Sequence, residues 1–281
     1  MKLSVLPVSL FSKLSSQEMT VAQWAEFAQK LPVDGFDTSI LFYPSAVPTA
    51  LQQIKRELEE KEISIQPVMV CCYPDFTHPD PMERERQMDY FRRDLALVSE
   101  LGFQYVRTTA GQSHPGLTLE EGVKRCTDCF AKVLPAAEKY GVKLVFENHS
   151  KPGAWPLIDF SFQPEAFLAI SQEIQDMPMG INFDTANAVA CGSNPGELLR
   201  KVIHKVWTVH MNDTATVGNW TPIGIGDGLV DFEEVFSILE EYGFDGWVCI
   251  EEASGQGLPG IQRAVQVARK YVKQDGGGTD E

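Results

Sequence analysis

The sequence has no apolar run near the roughly 18 residues needed to cross a bilayer as a helix. That absence removes helical membrane insertion and points to a soluble globular chain. Basic residues are scarce, with 24 Lys and Arg against 39 Asp and Glu and a formal charge of −15. Nucleic-acid affinity rests mainly on Lys and Arg neutralising phosphates, so a nucleic-acid partner is disfavoured. Six cysteines are too few and too scattered for the framework of a small disulfide-rich secreted domain. Met1 to Phe11 carries a short apolar run with no small-x-small cleavage site after it. Both features favour a reducing cytoplasm. The lone Cys126-x-x-Cys129 lies in a helical stretch with no second pair, so a half-buried helix face accounts for it better than a metal knuckle. Gly224 to Gly228 lacks the spacing of a dinucleotide or phosphate-binding loop and reads as a tight strand-to-helix turn.

What the sequence does contain is regular alternation. Eight short β-branched or aromatic runs, Lys2–Leu10, Gly35–Leu41, Ser64–Val70, Tyr105–Thr108, Lys143–Glu147, Gly180–Asp184, Val206–His210 and Trp247–Glu251, are separated by stretches of helical spacing. The helical stretches are Val21–Lys30, Thr49–Lys61, Pro81–Leu101, Leu119–Tyr140, Pro164–Ile174, Pro195–His204, Phe232–Tyr242 and Leu258–Lys273. Several end before Gly, at Gly102, Gly141 and Gly243, as helix ends commonly do. Eight such units in a chain of 281 residues predict an α/β fold, a single (β/α)8 TIM barrel over residues 1–273, with a disordered tail at 274–281.

In such a barrel, chemistry collects at the carboxyl ends of the strands. Leu144-Val145-Phe146 runs into Glu147, Ile181-Asn182-Phe183 into Asp184, Trp207-Thr208-Val209 into His210, and Val248-Cys249-Ile250 into Glu251. The four lie one strand–helix unit apart, so they converge on one mouth. Three carboxylates in one place repel strongly unless protons are taken up or a cation sits among them. One divalent metal is the simplest resolution, and carboxylates with one imidazole suit Mn²⁺, Mg²⁺ or Co²⁺, with Zn²⁺ also compatible.

The motifs Glu147-Asn148-His149, Asp184-Thr185-Ala186-Asn187, His210-Met211-Asn212-Asp213 and Gly224 to Phe232, followed by Ile250-Glu251, resemble the xylose-isomerase-like TIM-barrel superfamily. Within it they are similar to the sugar phosphate isomerase/epimerase branch, which includes ketose 3-epimerases, inosose isomerases and dehydratases, and hydroxypyruvate isomerases. The resemblance implies one metal held by Glu147, Asp184, His210 and Glu251, with Glu147 and Glu251 as the catalytic acid/base pair. It further implies a small carbohydrate substrate and a homodimer or homotetramer. A metal chelated by a carbonyl and the adjacent hydroxyl would stabilise an enediolate, and two carboxylates on opposite faces would then epimerise or isomerise the substrate. If one of them instead protonated a departing β-hydroxyl, the same site would be a dehydratase.

The chain departs from two branches of that superfamily. Apurinic endonucleases carry a His where Asn187 stands, a ligand pair near Gly218 to Trp220, and further His ligands near Tyr73 and Thr108, none of which is matched. Ketose 3-epimerases carry a His at Asn187, an Arg at Thr216 and a Glu at Gly153, so the ketohexose clamp is missing. A non-catalytic sugar-binding module is a third class, which the retained pair of glutamates argues against. Candidate substrate contacts on the loops are His149, Lys151, Trp155, Asn187, Asp213 and Trp220. Lys151 would meet an anionic group or simply be solvated, and Trp155 and Trp220 would stack on a sugar or roof the barrel. Asp213 would orient His210 or cap a turn. His78 and His114, after the third and fourth strands, are candidates to close the pocket, and Cys71 and Cys72 to form its wall.

Overall fold

The computed structural model describes residues 1–150 and 156–272. The tail at 274–281 lies outside the described residues, as do Lys151 and Trp155. Eight parallel strands are present: β1 (Lys2–Pro7), β2 (Gly35–Ser39), β3 (Gln66–Cys71), β4 (Tyr105–Thr108), β5 (Lys143–Glu147), β6 (Gly180–Asp184), β7 (Val206–Met211) and β8 (Trp247–Glu252). Their order, β1-β8-β7-β6-β5-β4-β3-β2, curls the sheet into a (β/α)8 TIM barrel. The seam between β1 and β2 is bridged through Asp34: its backbone N–H donates to Leu3 O at 2.7 Å, and its carboxylate accepts from Leu3 N at 2.8 Å.

The helices that cover the barrel are α1 (Phe11–Ser15), α2 (Val21–Ala28), α3 (Pro48–Glu60), α4 (Pro81–Glu100), α5 (Leu119–Tyr140), α6 (Pro164–Glu173), α7 (Thr185–Ala190), α8 (Pro195–Val202), α9 (Phe232–Glu241) and α10 (Gly257–Ala268). None of them, among the described residues, is long and apolar enough to cross a membrane. Pro48, Pro81, Pro164 and Pro195 open helices, where the absent N–H is not missed. Cys126 and Cys129 lie on the buried face of α5, and Cys71 and Cys72 are also buried.

Five strands differ in their bounds from the sequence expectation: β7 and β8 each run one residue further, to Met211 and Glu252, and the first three differ for local reasons. The first strand ends at Pro7 instead of Leu10, because Val8–Leu10 turns into a 3₁₀ helix that leads into α1. The second ends at Ser39, whose hydroxyl accepts from Leu41 N at 3.2 Å and starts a 3₁₀ turn. The third begins at Gln66, where its pairing with Gly35 begins, and extends to Cys71, which pairs with Arg107 of β4. Helices α1 and α7 had no counterpart in the periodicity, being only a turn or two long.

The strands are buried on both faces, and the two faces form different layers. Leu144, Phe146, Val248 and Ile250 pack outward in the large core shared with the helices, while Val145, Trp247 and Cys249 belong to a separate cluster with Met69, Cys71 and Tyr105. Side chains alternate along a strand, so the residue two beyond an inward one also points inward. Glu147 follows Val145 in this way, Glu251 follows Cys249 and Arg107 follows Tyr105. The fold thereby aims these ionisable groups at the barrel mouth.

Candidate active site

Glu147, Asp184, His210 and Glu251 each present one ligand atom, and these atoms all lie within 4.8 Å of one another. All four residues are buried. The register explains the meeting: Asp184 is level with His210 across β6 and β7, and Glu147 is level with Asn182 across β5 and β6. His210 Nδ1 lies 2.7 Å from Glu147 Oε1 and 3.1 Å from Glu251 Oε2, yet it is aligned for a hydrogen bond with neither. Glu147 Oε2 likewise has no hydrogen-bond partner. A buried imidazole nitrogen facing two carboxylates without a hydrogen bond is what the donor set of a cation looks like. The oxygen-rich set with one imidazole fits a divalent ion.

Neighbours hold two of the four candidate ligands, Glu147 and Asp184, in place. Asn182 Nδ2 donates to Glu147 Oε1 at 2.8 Å and is itself oriented by the Thr208 hydroxyl at 2.7 Å. Asn148 locks the tips of β5 and β6 by a reciprocal pair of 2.8 Å bonds with the Asp184 backbone. Asp184 also caps α7, accepting from Asn187 N at 2.6 Å. Metal ligands characteristically lean on such outer partners.

Arg107 was not anticipated as a site residue. Its side chain is 2% exposed, its Nε stands 3.2 Å from Glu147 Oε2, its Nη1 donates to Cys72 O at 3.3 Å, and its guanidinium lies over the Tyr73 ring at 4.7 Å. Burial by itself would raise the pKa of Glu147, but the charges of Arg107 and His210 outweigh it and hold the carboxyl below its ordinary range. Burial by itself would discharge His210, and the Glu147 carboxylate outweighs that and lifts the imidazole well above its ordinary value. The sequence signal for Arg107 was a lone charge in the middle of Tyr105-Val106-Arg107-Thr108. A strand buried on both faces cannot hold such a charge without a partner.

The other candidates separate into distinct places. Asn187 is buried on α7; its Oδ1 accepts from the Ser150 hydroxyl, and its Nδ2 has no partner. His149 is buried in the loop after β5 with Nδ1 3.7 Å from Asp159 Oδ2, and neither atom is hydrogen-bonded. Asp213 does not orient His210. Its carboxylate accepts from four backbone amides, those of Thr214, Gly226 and Gly228 at 2.9 Å and Val230 at 3.2 Å, so it organises the loop after β7. Amides that converge on one carboxylate satisfy it locally, which the expectation of a partner for His210 overlooked. Trp220 is half-buried against the core. Thr216 bonds within its own loop, to Asn219 O at 2.7 Å and the Thr221 hydroxyl at 2.8 Å. His78 and His114 come together on the loops after β3 and β4.

Residues 25–271 match the family model described as xylose isomerase-like TIM barrel. Among curated proteins, an inosose dehydratase of Clostridium beijerinckii is 26% identical over 176 residues, covering 56% of each chain. The match thus spans about half the length of that relative. Among solved structures, a D-tagatose 3-epimerase-like protein superposes with a TM-score of 0.77 at 20% identity, covering 96% of this chain and 97% of the other. The IOLI protein, solved with a zinc atom, superposes with a TM-score of 0.74 at 22% identity over 98% of this chain and 100% of its own. At these identities the structural likeness establishes the barrel.

Proposed function

The chain belongs to the xylose isomerase-like TIM barrel family, and from that membership we infer a divalent-metal-dependent isomerase or epimerase acting on a ketose or inosose-type polyol. The observation that carries this reading is the buried convergence of Glu147, Asp184, His210 and Glu251 within 4.8 Å. These residues would hold the metal, which when bound supplies Lewis-acid polarisation of a carbonyl and its adjacent hydroxyl. Glu147, kept ionised beside Arg107, would take the proton from the carbon next to the carbonyl. Glu251 would return a proton, to the opposite face for epimerisation or to the neighbouring carbon for isomerisation. The unpartnered Asn187 Nδ2 offers a hydrogen bond to a substrate hydroxyl. Lys151, Trp155 and Trp220 complete the proposed substrate contacts.

A second reading, dehydration of an inosose-type substrate, is favoured by the inosose dehydratase relative and by Asn187 and Thr216 in place of the ketohexose clamp. It shares the first proton abstraction and differs in that the second acid protonates a leaving β-hydroxyl. Incubation with inososes and ketoses in D₂O, followed by NMR, tests both readings. Deuterium uptake next to the carbonyl without loss of hydroxyl supports the first, and a deoxy or unsaturated product supports the second. Glu147→Gln and Glu251→Gln are each expected to lower uptake by roughly 10²–10⁴-fold. Exchange at the parental rate in either variant would remove that residue from the acid/base pair. Asp184→Ala is expected to lose the bound metal, and equal metal content in variant and parent would sink the site.

A further inference from the structure

The loops after β3 and β4 assemble three more metal-ligating side chains, none of which belongs to the strand-end cluster. Asp75, His78 and His114 each offer one ligand atom, and these too lie within 4.8 Å of one another. Asp75 is buried and His78 and His114 are partly so. The Asp75 carboxylate is fixed from several sides. Oδ1 accepts from Gln112 N at 2.9 Å and from the Thr77 hydroxyl at 3.1 Å, and Oδ2 accepts from Gln112 Nε2 at 2.8 Å. Oδ2 also lies 2.8 Å from His114 Nε2. The His78 and His114 rings meet edge to face, with centroids 5.0 Å apart.

The surrounding backbone is built tightly around this group. Gly111 sits at φ +120°, and a Cβ there would fall 2.6 Å from Asp75 Oδ1 and 2.5 Å from Thr77 Oγ1. Phe76 packs edge-on against both Phe91 and Phe130, pinning the loop to α4 and α5. A loop staple would explain the bonds from Gln112 and Thr77 to Asp75. It would not account for the His78 ring being turned onto His114, since its Nδ1 is bonded only to the exposed Asp80 N at 3.2 Å.

We propose that Asp75, His78 and His114 form a second divalent-cation site, with a donor set that takes zinc in preference to magnesium, tying the loop after β3 to the loop after β4. Two imidazoles and one carboxylate are a zinc donor set that leaves a position for water. His114 also lines a cleft of about 320 Å³, together with Ser113, Leu117, Leu119, Phe160 and Gln163. Zinc takes the place of the proton between His114 Nε2 and Asp75 Oδ2, and that proton passes to Nδ1 or to solvent. Asp75 keeps its three donors from Gln112 and Thr77, which serve as the outer partners that orient a ligating carboxylate. The only bond His78 gives up is the one its Nδ1 accepts from Asp80 N at 3.2 Å, and Asp80 is exposed, so water replaces the acceptor. The site is independent of the strand-end ligands and of the proposed reaction.

The test is zinc stoichiometry on the full chain, stripped with chelator, loaded with zinc chloride, desalted and analysed for metal. The parent is expected to hold two equivalents, His78→Ala/His114→Ala one, Asp184→Ala one, and the combined variant close to none. A parent whose zinc content is unchanged by His78→Ala/His114→Ala overturns the second site. Retention of zinc by the Asp184→Ala background, lost on removing the two histidines, supports it whatever the outcome at the strand ends. A folding defect is separated by thermal melting. In Asp184→Ala, zinc but not magnesium is expected to raise Tm, and His78→Ala, which removes one exposed hydrogen bond and the ring contact with His114, is expected to abolish that rise. Absence of any zinc-dependent rise in Asp184→Ala overturns the proposal.

Discussion

Strands β5 to β8 carry Glu147, Asp184, His210 and Glu251 at their tips, whereas β1 to β4 end in Pro7, Ser39, Cys71 and Thr108. The first four strands are not free of charge, but they handle it differently. Asp37 of β2 is fully buried and satisfied close by, its carboxylate accepting from the Ser4 hydroxyl and from Met69 N at 3.1 Å. Arg107 of β4 reaches across to Glu147. In the second half the ionisable groups compensate one another in a single cluster; in the first half each is neutralised separately, or is lent to that cluster. The same inner wall therefore carries a cluster of ionisable groups on one side and more dispersed ones on the other. What differs is whether local donors have already satisfied the charge.

Arg107→Met attacks a fully buried charge that joins the two halves. Removing one member of a buried ion pair strands the other, which costs about 3–5 kcal/mol. The variant is expected to unfold at markedly lower urea concentration, and a loss comparable to a surface substitution would show that the halves are not coupled through this pair.

Asp37→Asn probes a charge satisfied within the first half. Burial raises the Asp37 pKa from 3.8 to about 6, against the lowering effect of the Ser4 bond, the His210 charge and the Met69 bond. The folded state thus holds its proton to higher pH than the unfolded state. Stability is present below the unfolded pKa and lost as pH rises from about 4 through about 6, by up to about 3 kcal/mol. Stability curves of parent and Asp37→Asn are expected to diverge over that window, with the variant the flatter. Parallel curves would show that Asp37 is charged in both states.

Thr20→Ala is the smallest effect and lies away from the barrel wall. Thr20 and Gln23 form a reciprocal capping box at the start of α2, with bonds of 3.2 and 2.9 Å. Its loss is expected to cost about 1 kcal/mol, with proton exchange and metal content unchanged. An altered metal content would show that the outer helices influence the mouth.

The strand-end ligands were legible because each terminates an apolar run, and the period of the fold repeats that signal four times. The departures at Asn187 and Thr216 were legible as single positions within recognisable motifs. Arg107 was harder, since one charge in a four-residue strand has no periodicity of its own. The Asp213 amide cradle was harder still, because its donors are spread from Thr214 to Val230 and converge only when the loop folds back. The triad of Asp75, His78 and His114 joins two loops whose closeness depends on Gly111 and the Gln112 bonds.

The sequence by itself determined the barrel and the residues at its mouth, because strand and helix periodicities are local and the strand end follows from where each apolar run stops. Only the tertiary structure decided what those residues face. Whether a carboxylate is paired with an imidazole, an arginine or a ring of amides depends on neighbours tens of residues away, brought within about 3 Å only when the barrel closes.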